Sequence, residues 1–277
     1  MGPTALVALA GVGLAVGFMS GLVGIGGGVL IVPFLYFFYG FPEFAGAHMA
    51  PDLEASVAHA TSLFIIVPTA VVGTLTYAKA RLVAWRAALP IALFSIVAAA
   101  VGANLALLLP AEVLKLGFGV FLMFTGMQLV GRKPGAEGRP LRLTLPVTAA
   151  TGLLIGLLSA LLGVGGGLVA IPMLLYVVRL EVQRVAATSL AVVAFAAAAG
   201  TLTYIVNGFR DPGLPPGSVG YVHITAAMPI LIGSMLTVRW GARANQRVNR
   251  RTLRLVFGAL FFVLGIRLVW TSALAFL

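Results

Sequence analysis

The residues with the clearest chemical potential are two glycine clusters, in the stretches GIGGGVLIVP (residues 24–33) and GVGGGLVAIP (residues 163–172). A glycine costs about 1 kcal/mol relative to alanine inside a helix, so a triplet is expected to interrupt an apolar helix. The helix that restarts beyond the break presents free N–H donors and a partial positive charge, and glycine allows a ligand to approach the backbone. Two such starts are predicted to bind a small anion with several acceptor oxygens. The glycines predicted to bind it are Gly26, Gly27, Gly28, Gly165, Gly166 and Gly167.

The alternative for any glycine in an apolar segment is tight helix packing. Small residues let helices cross closely in lipid, and we expect this role for scattered glycines such as Gly11, Gly13 and Gly17. The two triplets differ because they recur at matching positions within a longer repeated motif. An unsatisfied backbone group in lipid costs several kcal/mol, so both breaks must face protein or a hydrated cavity. We therefore interpret them as a site inside the protein.

Hydroxyl pairs form the second candidate set, because Ala-Thr-Ser-Leu follows each glycine cluster. These hydroxyls can donate to an anion, cap a helix or bond to the backbone, and the sequence leaves the choice open. The four residues are Thr61, Ser62, Thr188 and Ser189. His59 lies just before the first pair, and its counterpart in the second half is Ala186. His59 is therefore a candidate proton-linked residue in one half only, with a structural role as the alternative.

Other chemistry has little support in the sequence. The chain contains no cysteine, which excludes disulfides and thiolate metal sites. The predicted spanning segments contain no acidic residue, which argues against a carboxylate relay for protons or sodium. Ser20 and His59 are loose candidates for an intramembrane enzyme, but Ser20 lacks a Gly-x-Ser-x-Gly setting. We predict no catalytic residue, no metal and no cofactor.

The composition indicates that membrane-spanning helices carry these residues. Hydrophobic residues make up 61% of the 277 positions, charged residues make up 9%, and the mean hydropathy is +1.10. Apolar stretches of about 20 residues, enough to cross a bilayer, therefore recur along the chain. The net charge of +11 comes from lysine and arginine in the short gaps between these stretches. We interpret this charge as an orientation signal and exclude nucleic acid as a partner.

The chain is an internal duplication. Ala-Thr-Ser-Leu at residues 60–63 returns at 187–190, and Gly-Thr-Leu-Thr-Tyr ends at Tyr77 and again at Tyr204. We expect these two tyrosines to anchor their helices at the membrane interface. The glycine clusters match at a larger offset than these blocks, which places one extra loop in each half, at residues 41–55 and 207–220. The predicted units are a first repeat over residues 1–131, a cytoplasmic linker over 132–142 and a second repeat over 143–277.

The distribution of charge predicts how the repeats cross the membrane. Each glycine-broken region is followed by three apolar segments of spanning length. If each broken region is a hairpin of two short helices, fifteen basic residues lie in the cytoplasm and two outside, whereas single crossings give eight against nine. The hairpins are therefore favoured, and both termini are expected outside. The predicted fold is an all-α polytopic membrane protein with two inverted-topology repeats, which is typical of secondary transporters.

The paired Gly-x-Gly-Gly-Gly-x4-Pro elements, each followed by Ala-Thr-Ser-Leu, resemble the sulfite exporter TauE/SafE family of bacterial and plant membrane proteins. The resemblance covers the chain from about Leu14 to Trp270. It implies movement of sulfite, sulfoacetate or a related organosulfonate across the cytoplasmic membrane, with export as the expected direction. The family motif falls on Gly24, Gly26, Gly27, Gly28 and Pro33 and on Gly163, Gly165, Gly166, Gly167 and Pro172, with Thr61, Ser62, Thr188 and Ser189 behind them.

The leading hypothesis is a multi-pass transporter in the cell membrane that moves a small sulfur-containing anion by alternating access. The resemblance supplies the sulfur, since the residues themselves indicate only a small oxyanion. Two alternatives stay open at this point. One is a permease for another small organic or inorganic anion, and the other is a membrane scaffold that transports nothing.

Overall fold

The computed structural model describes residues 3–40, 53–131, 141–209, 211–245, 258–259 and 261–270. Within these ranges the chain is almost entirely helical. The elements are α1 (Pro3–Val23), α2 (Gly28–Tyr39), α3 (Glu54–Lys79), α4 (Trp85–Leu108), α5 (Ala111–Gly131), α6 (Leu145–Leu161), α7 (Gly167–Pro172, continued by a π-helix over Met173–Val177), α8 (Val182–Gly208), β1 (Ser218–Val219), β2 (Val222–His223), α9 (Ile224–Ala244) and α10 (Phe261–Trp270). Most of the predicted linker, and of the first extra loop, lies outside the described residues.

The helices have the length and polarity of membrane spans. Five of them in the described part of the chain are long and apolar enough to cross a bilayer, namely α1, α3, α4, α8 and α9. Large apolar side chains such as Leu93, Leu236 and Trp240 are more than half exposed, as expected where lipid rather than water surrounds a helix. These findings confirm the predicted all-α polytopic membrane fold. The two arms of the first glycine-broken region are unequal, because α1 has 21 residues and α2 has 12.

The second extra loop contains a small structure that the sequence analysis did not predict. Strands β1 and β2 form an antiparallel hairpin in which Ser218 pairs with His223 and Val219 with Val222. Gly220 takes a positive φ of 54° in the turn, which favours glycine. The hairpin leads directly into α9, so His223 is the N-cap residue of that helix.

Small residues bring the halves together. Helix α1 packs along α9, and α6 packs along α4, so each glycine-broken region leans on the opposite half. A Cβ atom on Gly13 would lie 2.8 Å from Ile230 Cα, and one on Gly17 would overlap the backbone of Ser234. Tight packing is thus confirmed for these two glycines. It is wrong for Gly11, whose Cβ would meet nothing within 4 Å.

Contacts between the halves recur in equivalent pairs. A Cβ on Gly73 of α3 would lie 2.8 Å from Leu190 of α8, and one on Gly200 of α8 would lie 2.9 Å from Leu63 of α3. Helices α3 and α8 are the most buried of the five long apolar helices. The core of the protein therefore forms at the contact between α3 and α8, which are equivalent helices of the two halves. The orientation of the two halves relative to the bilayer stays a prediction.

The prediction for Tyr77 and Tyr204 is wrong, because both side chains are fully buried. The Tyr77 hydroxyl donates to Gly21 O at 2.8 Å, and the Tyr204 hydroxyl donates to Ala160 O at 3.0 Å. Both carbonyls belong to the last turn of a helix that ends before a glycine break, where carbonyls lack a helical partner. The two tyrosines therefore close the ends of α1 and α6 inside the protein.

Candidate functional site

The backbone at both breaks requires glycine. Helix α1 ends at Val23 and α2 begins at Gly28, while α6 ends at Leu161 and α7 begins at Gly167. The residues between them include glycines in the left-handed region, which is strained for residues with a Cβ. These are Gly24 (φ 81°), Gly26 (82°), Gly27 (87°), Gly163 (66°), Gly165 (76°) and Gly166 (78°). The interruption of both helices at the glycine clusters is confirmed.

The two breaks touch each other inside the protein. A Cβ on Gly28 would lie 2.6 Å from Val164 Cα, and a Cβ on Gly167 would overlap the backbone of Ile25. Neither glycine has a positive φ, so the close approach of the opposite break is what demands glycine at both positions. The first residues of α2 and α7 are thus held together at the centre of the molecule.

An apolar pair of side chains covers the breaks. A Cβ on Gly26 would lie 2.9 Å from Val193 Cγ1, and a Cβ on Gly165 would lie 3.0 Å from Ile66 Cδ1. Ile66 and Val193 are fully buried at equivalent positions of α3 and α8. All six predicted binding glycines are buried as well. This conformation therefore closes the breaks off from both sides of the protein.

Both helix starts offer backbone donors. The N–H groups of Leu30 and Ile31 donate to Gly27 O at 3.0 and 3.2 Å, and the N–H groups of Val169 and Ala170 donate to Gly166 O at 3.0 and 2.8 Å. The N–H groups that precede these bonds have no carbonyl one turn earlier, as at every helix start. Two sets of free donors, each with the positive end of a helix dipole, therefore meet at the contact between the breaks.

Two serines beside the breaks were not predicted as ligands. A Cβ on Gly27 would lie 3.5 Å from Ser20 Cβ, and a Cβ on Gly166 would lie 3.1 Å from Ser159 Cβ. Both serines are fully buried, and their Oγ atoms have no hydrogen-bond partner among the described residues. The sequence did carry a signal for them, because each serine stands four residues before the first glycine of its motif.

The predicted threonines connect distant helices. Thr61 Oγ accepts from the N–H of His223 at 3.0 Å, and Thr188 Oγ accepts from the N–H of Ala84 at 3.1 Å. His223 and Ala84 are the N-cap residues of α9 and α4. Each threonine therefore caps a helix of the opposite half rather than its own helix.

The predicted serines differ from each other. Ser189 Oγ donates to Gly24 O at 2.9 Å, which ties α8 to the first break. Ser62 Oγ, at the equivalent position of α3, is fully buried and has no partner within the described residues. Ser62 thus resembles Ser20 and Ser159, while Ser189 supports the backbone of the site. A ligand role for the four hydroxyl residues stays a prediction.

The candidate proton-linked residue His59 adjoins the second break. It is fully buried on α3, and its Nε2 lies 2.5 Å from the hydroxyl of Tyr36 on α2. A Cβ on Gly163 would lie 2.9 Å from His59 Cδ2. The second half has Ala186 at the equivalent position, against Gly24, so an imidazole is present at one break only.

Basic residues line two cavities away from the breaks. One cavity of about 240 Å³ is lined by Lys79, Arg239 and Arg243. Another, of about 410 Å³, is lined by Arg86, Arg179 and Arg184 together with Glu181 and the N-cap residue of α4. Within the described ranges, no cluster of three or more histidine, cysteine, aspartate or glutamate side chains is placed to hold a metal ion. Basic side chains therefore outnumber acidic ones in the lining of both cavities.

A polytopic helical protein whose buried centre is made of two broken helices has the architecture of a membrane transporter. The chain belongs to the sulfite exporter TauE/SafE family, whose model matches residues 9–268. It is 27% identical over 256 residues to a probable membrane transporter protein of Methanocaldococcus jannaschii, covering 92% of each chain. It is 23% identical over 285 residues to a probable membrane transporter protein of Bacillus subtilis, covering 95% of this chain and 97% of the relative.

A third relative, a probable membrane transporter protein of Haemophilus influenzae, is 26% identical over 257 residues, covering 93% of this chain and 95% of the relative. No solved structure matches the chain. The family and these relatives identify the protein as a multi-pass membrane transporter for a small molecule, not an enzyme.

Proposed function

We propose that this transporter binds a small sulfur-containing anion between the two glycine breaks and exports it across the cytoplasmic membrane. Sulfite, sulfoacetate and related organosulfonates are the proposed substrates. The class of substrate is supported by membership of the sulfite exporter family. The place of binding is supported by the chemistry of the breaks themselves.

The observation that carries the proposal is the meeting of two helix starts beside unpaired buried hydroxyls. Ser20, Ser62 and Ser159 each hold an Oγ atom with no partner among the described residues. Leaving such a group unpaired costs about 1–3 kcal/mol, and two of the three, Ser20 and Ser159, lie directly beside the glycine breaks. A ligand that accepts hydrogen bonds from them would recover this cost. A sulfur oxyanion offers several acceptor oxygens and fits a set of N–H and O–H donors.

The closed conformation of the breaks supports a mechanism of alternating access. Since Ile66 and Val193 cover the glycines, an anion can reach them only after α3 and α8 move relative to the breaks. The paired contacts between the halves support an inverted repeat, in which two equivalent movements open the site to one side or the other. The predicted orientation, with both termini outside, remains part of this proposal.

The cavity lined by Arg86, Arg179 and Arg184 is the proposed entrance from the cytoplasm. Its wall includes Ala84, whose N–H is bonded to Thr188, and the next residue Ser189 is bonded to the first break. Basic residues in a recess raise the local concentration of anions. The cavity therefore leads an anion toward the helix that supports the site.

The experiment is flux of labelled sulfite into proteoliposomes that carry the purified protein. Sulfate, thiosulfate, sulfoacetate and acetate serve as unlabelled competitors, and protein-free vesicles measure passive leakage. We expect saturable flux that sulfoacetate suppresses and acetate does not. Suppression by acetate alone would indicate a carboxylate permease, and the absence of flux for every anion in a correctly inserted protein would refute the proposal.

A further inference from the structure

We infer that His59, through its contact with Tyr36, binds a proton together with the transported anion. The inference rests on the proposed anion site between the breaks and adds a second ligand to it. The first half of the molecule thereby holds a proton site that the second half lacks. The argument uses the contacts of His59 and the charge of its surroundings.

The contacts of His59 leave one ring nitrogen available. Nε2 is bonded to the Tyr36 hydroxyl, whereas Nδ1 is buried and has no partner among the described residues. Because neutral imidazole has one donor and one acceptor nitrogen, its hydrogen-bonding capacity is only half used here. The ring also touches Gly163, at the edge of the second break. A change of charge on this ring would therefore act directly on the anion site.

A charged pair near the rim of the protein lies beside the Tyr36 ring that contacts His59. Lys115 Nζ lies 5.5 Å from the centre of the Tyr36 ring and 2.8 Å from Glu54 Oε2. The side chains of Lys115 and Glu54 are 22% and 18% exposed, whereas Tyr36 is 8% exposed and His59 is fully buried. A proton taken up from solvent adds to the imidazole, and the Tyr36 hydroxyl oxygen can accept a hydrogen bond from the resulting Nε2–H. The imidazole becomes imidazolium, and the tyrosine stays neutral.

The surrounding charges link proton binding to anion binding. The groups around His59 are Tyr36 from α2, Lys115 from α5 and Glu54 from its own helix, and the neighbouring Thr61 leads to His223 and Tyr39. Lys115 is positive and is already paired with Glu54, so it does not favour a second buried cation. An anion bound at the break does favour a positive charge on His59. The proton and the anion therefore bind cooperatively, and each raises the affinity for the other.

The second half has no such site. The positions equivalent to His59 and Tyr36 are Ala186 and Leu175, which are both apolar. Protonation therefore acts on one of two otherwise equivalent breaks, and it can favour one of the two alternating conformations over the other. A proton site of this kind gives a duplicated transporter a preferred state that depends on pH.

The test is isothermal titration of sulfite into the purified full-length protein in lipid nanodiscs, in two buffers of different ionisation enthalpy. The dependence of the heat on the buffer counts the protons taken up on binding. The variants are His59→Gln and Tyr36→Phe, and the matched control is His223→Gln, which alters the other buried histidine with a tyrosine partner. Any proton uptake by sulfite itself is the same for wild type and the three variants. Differences in proton uptake between these proteins therefore report on the histidines.

We expect wild type and His223→Gln to take up as much as one more proton per sulfite than His59→Gln. The sulfite affinity of wild type then changes by up to about tenfold more per pH unit than that of His59→Gln. Tyr36→Phe keeps the imidazole but removes its hydrogen-bond partner, so the pH midpoint of proton uptake should move. If His59→Gln does not fold, this variant tests the inference in its place. Equal uptake in wild type and His59→Gln, or an unchanged midpoint in Tyr36→Phe, would overturn the inference and leave the anion site intact. Wild type that binds no sulfite would instead overturn the proposed function.

Discussion

Replacing Ser20 or Ser159 by alanine is expected to make the protein more stable and a poorer binder of sulfite. Both serines are fully buried, and neither Oγ has a partner among the described residues. A buried unpaired hydroxyl costs about 1–3 kcal/mol, so its removal returns part of that energy to the folded protein. A hydrogen bond to a charged group contributes about 1.5–3 kcal/mol, so each substitution should weaken sulfite binding by about 10- to 150-fold.

The assay combines thermal unfolding without ligand and sulfite titration of the same preparations. Ser95→Ala is the matched control, because Ser95 is equally buried but its Oγ donates to Ala92 O at 2.8 Å. The control should bind sulfite like wild type and gain no stability. Opposite changes in stability and affinity are typical of residues kept for function rather than for folding.

Two results would refute this reasoning. If Ser20→Ala and Ser159→Ala bind sulfite with wild-type affinity, the hydroxyls do not contact the anion and the site lies elsewhere. If both variants lose stability as a bonded buried serine would, their hydroxyls have partners in the folded protein. A loss of sulfite affinity in only one of the two variants would restrict the site to one break.

Two further predictions concern stability. Gly28→Ala should lower the midpoint of thermal unfolding, because its Cβ would lie 2.6 Å from Val164 Cα and over-packing costs about 1–3 kcal/mol. Gly11→Ala is the control, because a Cβ on Gly11 would meet nothing within 4 Å. Burial lowers the pKa of His223 from 6.5 to about 4. The unfolded chain therefore binds this proton more strongly, and about 3 kcal/mol of stability, present above about pH 6.5, is lost as the pH falls toward 4. His223→Gln should lose this part of the pH dependence in unfolding between pH 7 and 4, and an unchanged profile would contradict it.

The helical fold and the two breaks could be predicted because both follow from local chemistry. An apolar segment in lipid must be helical, and a glycine triplet interrupts it at the triplet itself. The positive φ values at Gly26 and Gly165 and the helix starts at Gly28 and Gly167 agree with that expectation. Membership of the family was also visible in the motifs, since both copies are present in full.

The roles of single hydroxyl groups could not be predicted in the same way. The sequence places Tyr77 at the end of an apolar helix, but only the fold brings the carbonyl of Gly21, 56 residues away, within reach of its hydroxyl. Thr61 likewise caps α9 across a separation of 162 residues. Such partners depend on which helices cross, and helix crossing depends on the packing of both halves together. A hydropathy pattern carries no information about it.

The closed centre of the molecule sets a condition on any transport cycle. Gly28 touches Val164, and Gly167 touches Ile25, so the two breaks form one contact between the halves. An anion that binds both helix starts must come between them, which requires this contact to loosen. Ile66 of α3 and Val193 of α8 both lie against Gly26 and Gly165, so the proposed mechanism requires these helices to move before an anion reaches the contact. Under that mechanism, the apolar side chains of Ile25, Ile66, Val164 and Val193 would separate the two sides of the membrane in the closed state.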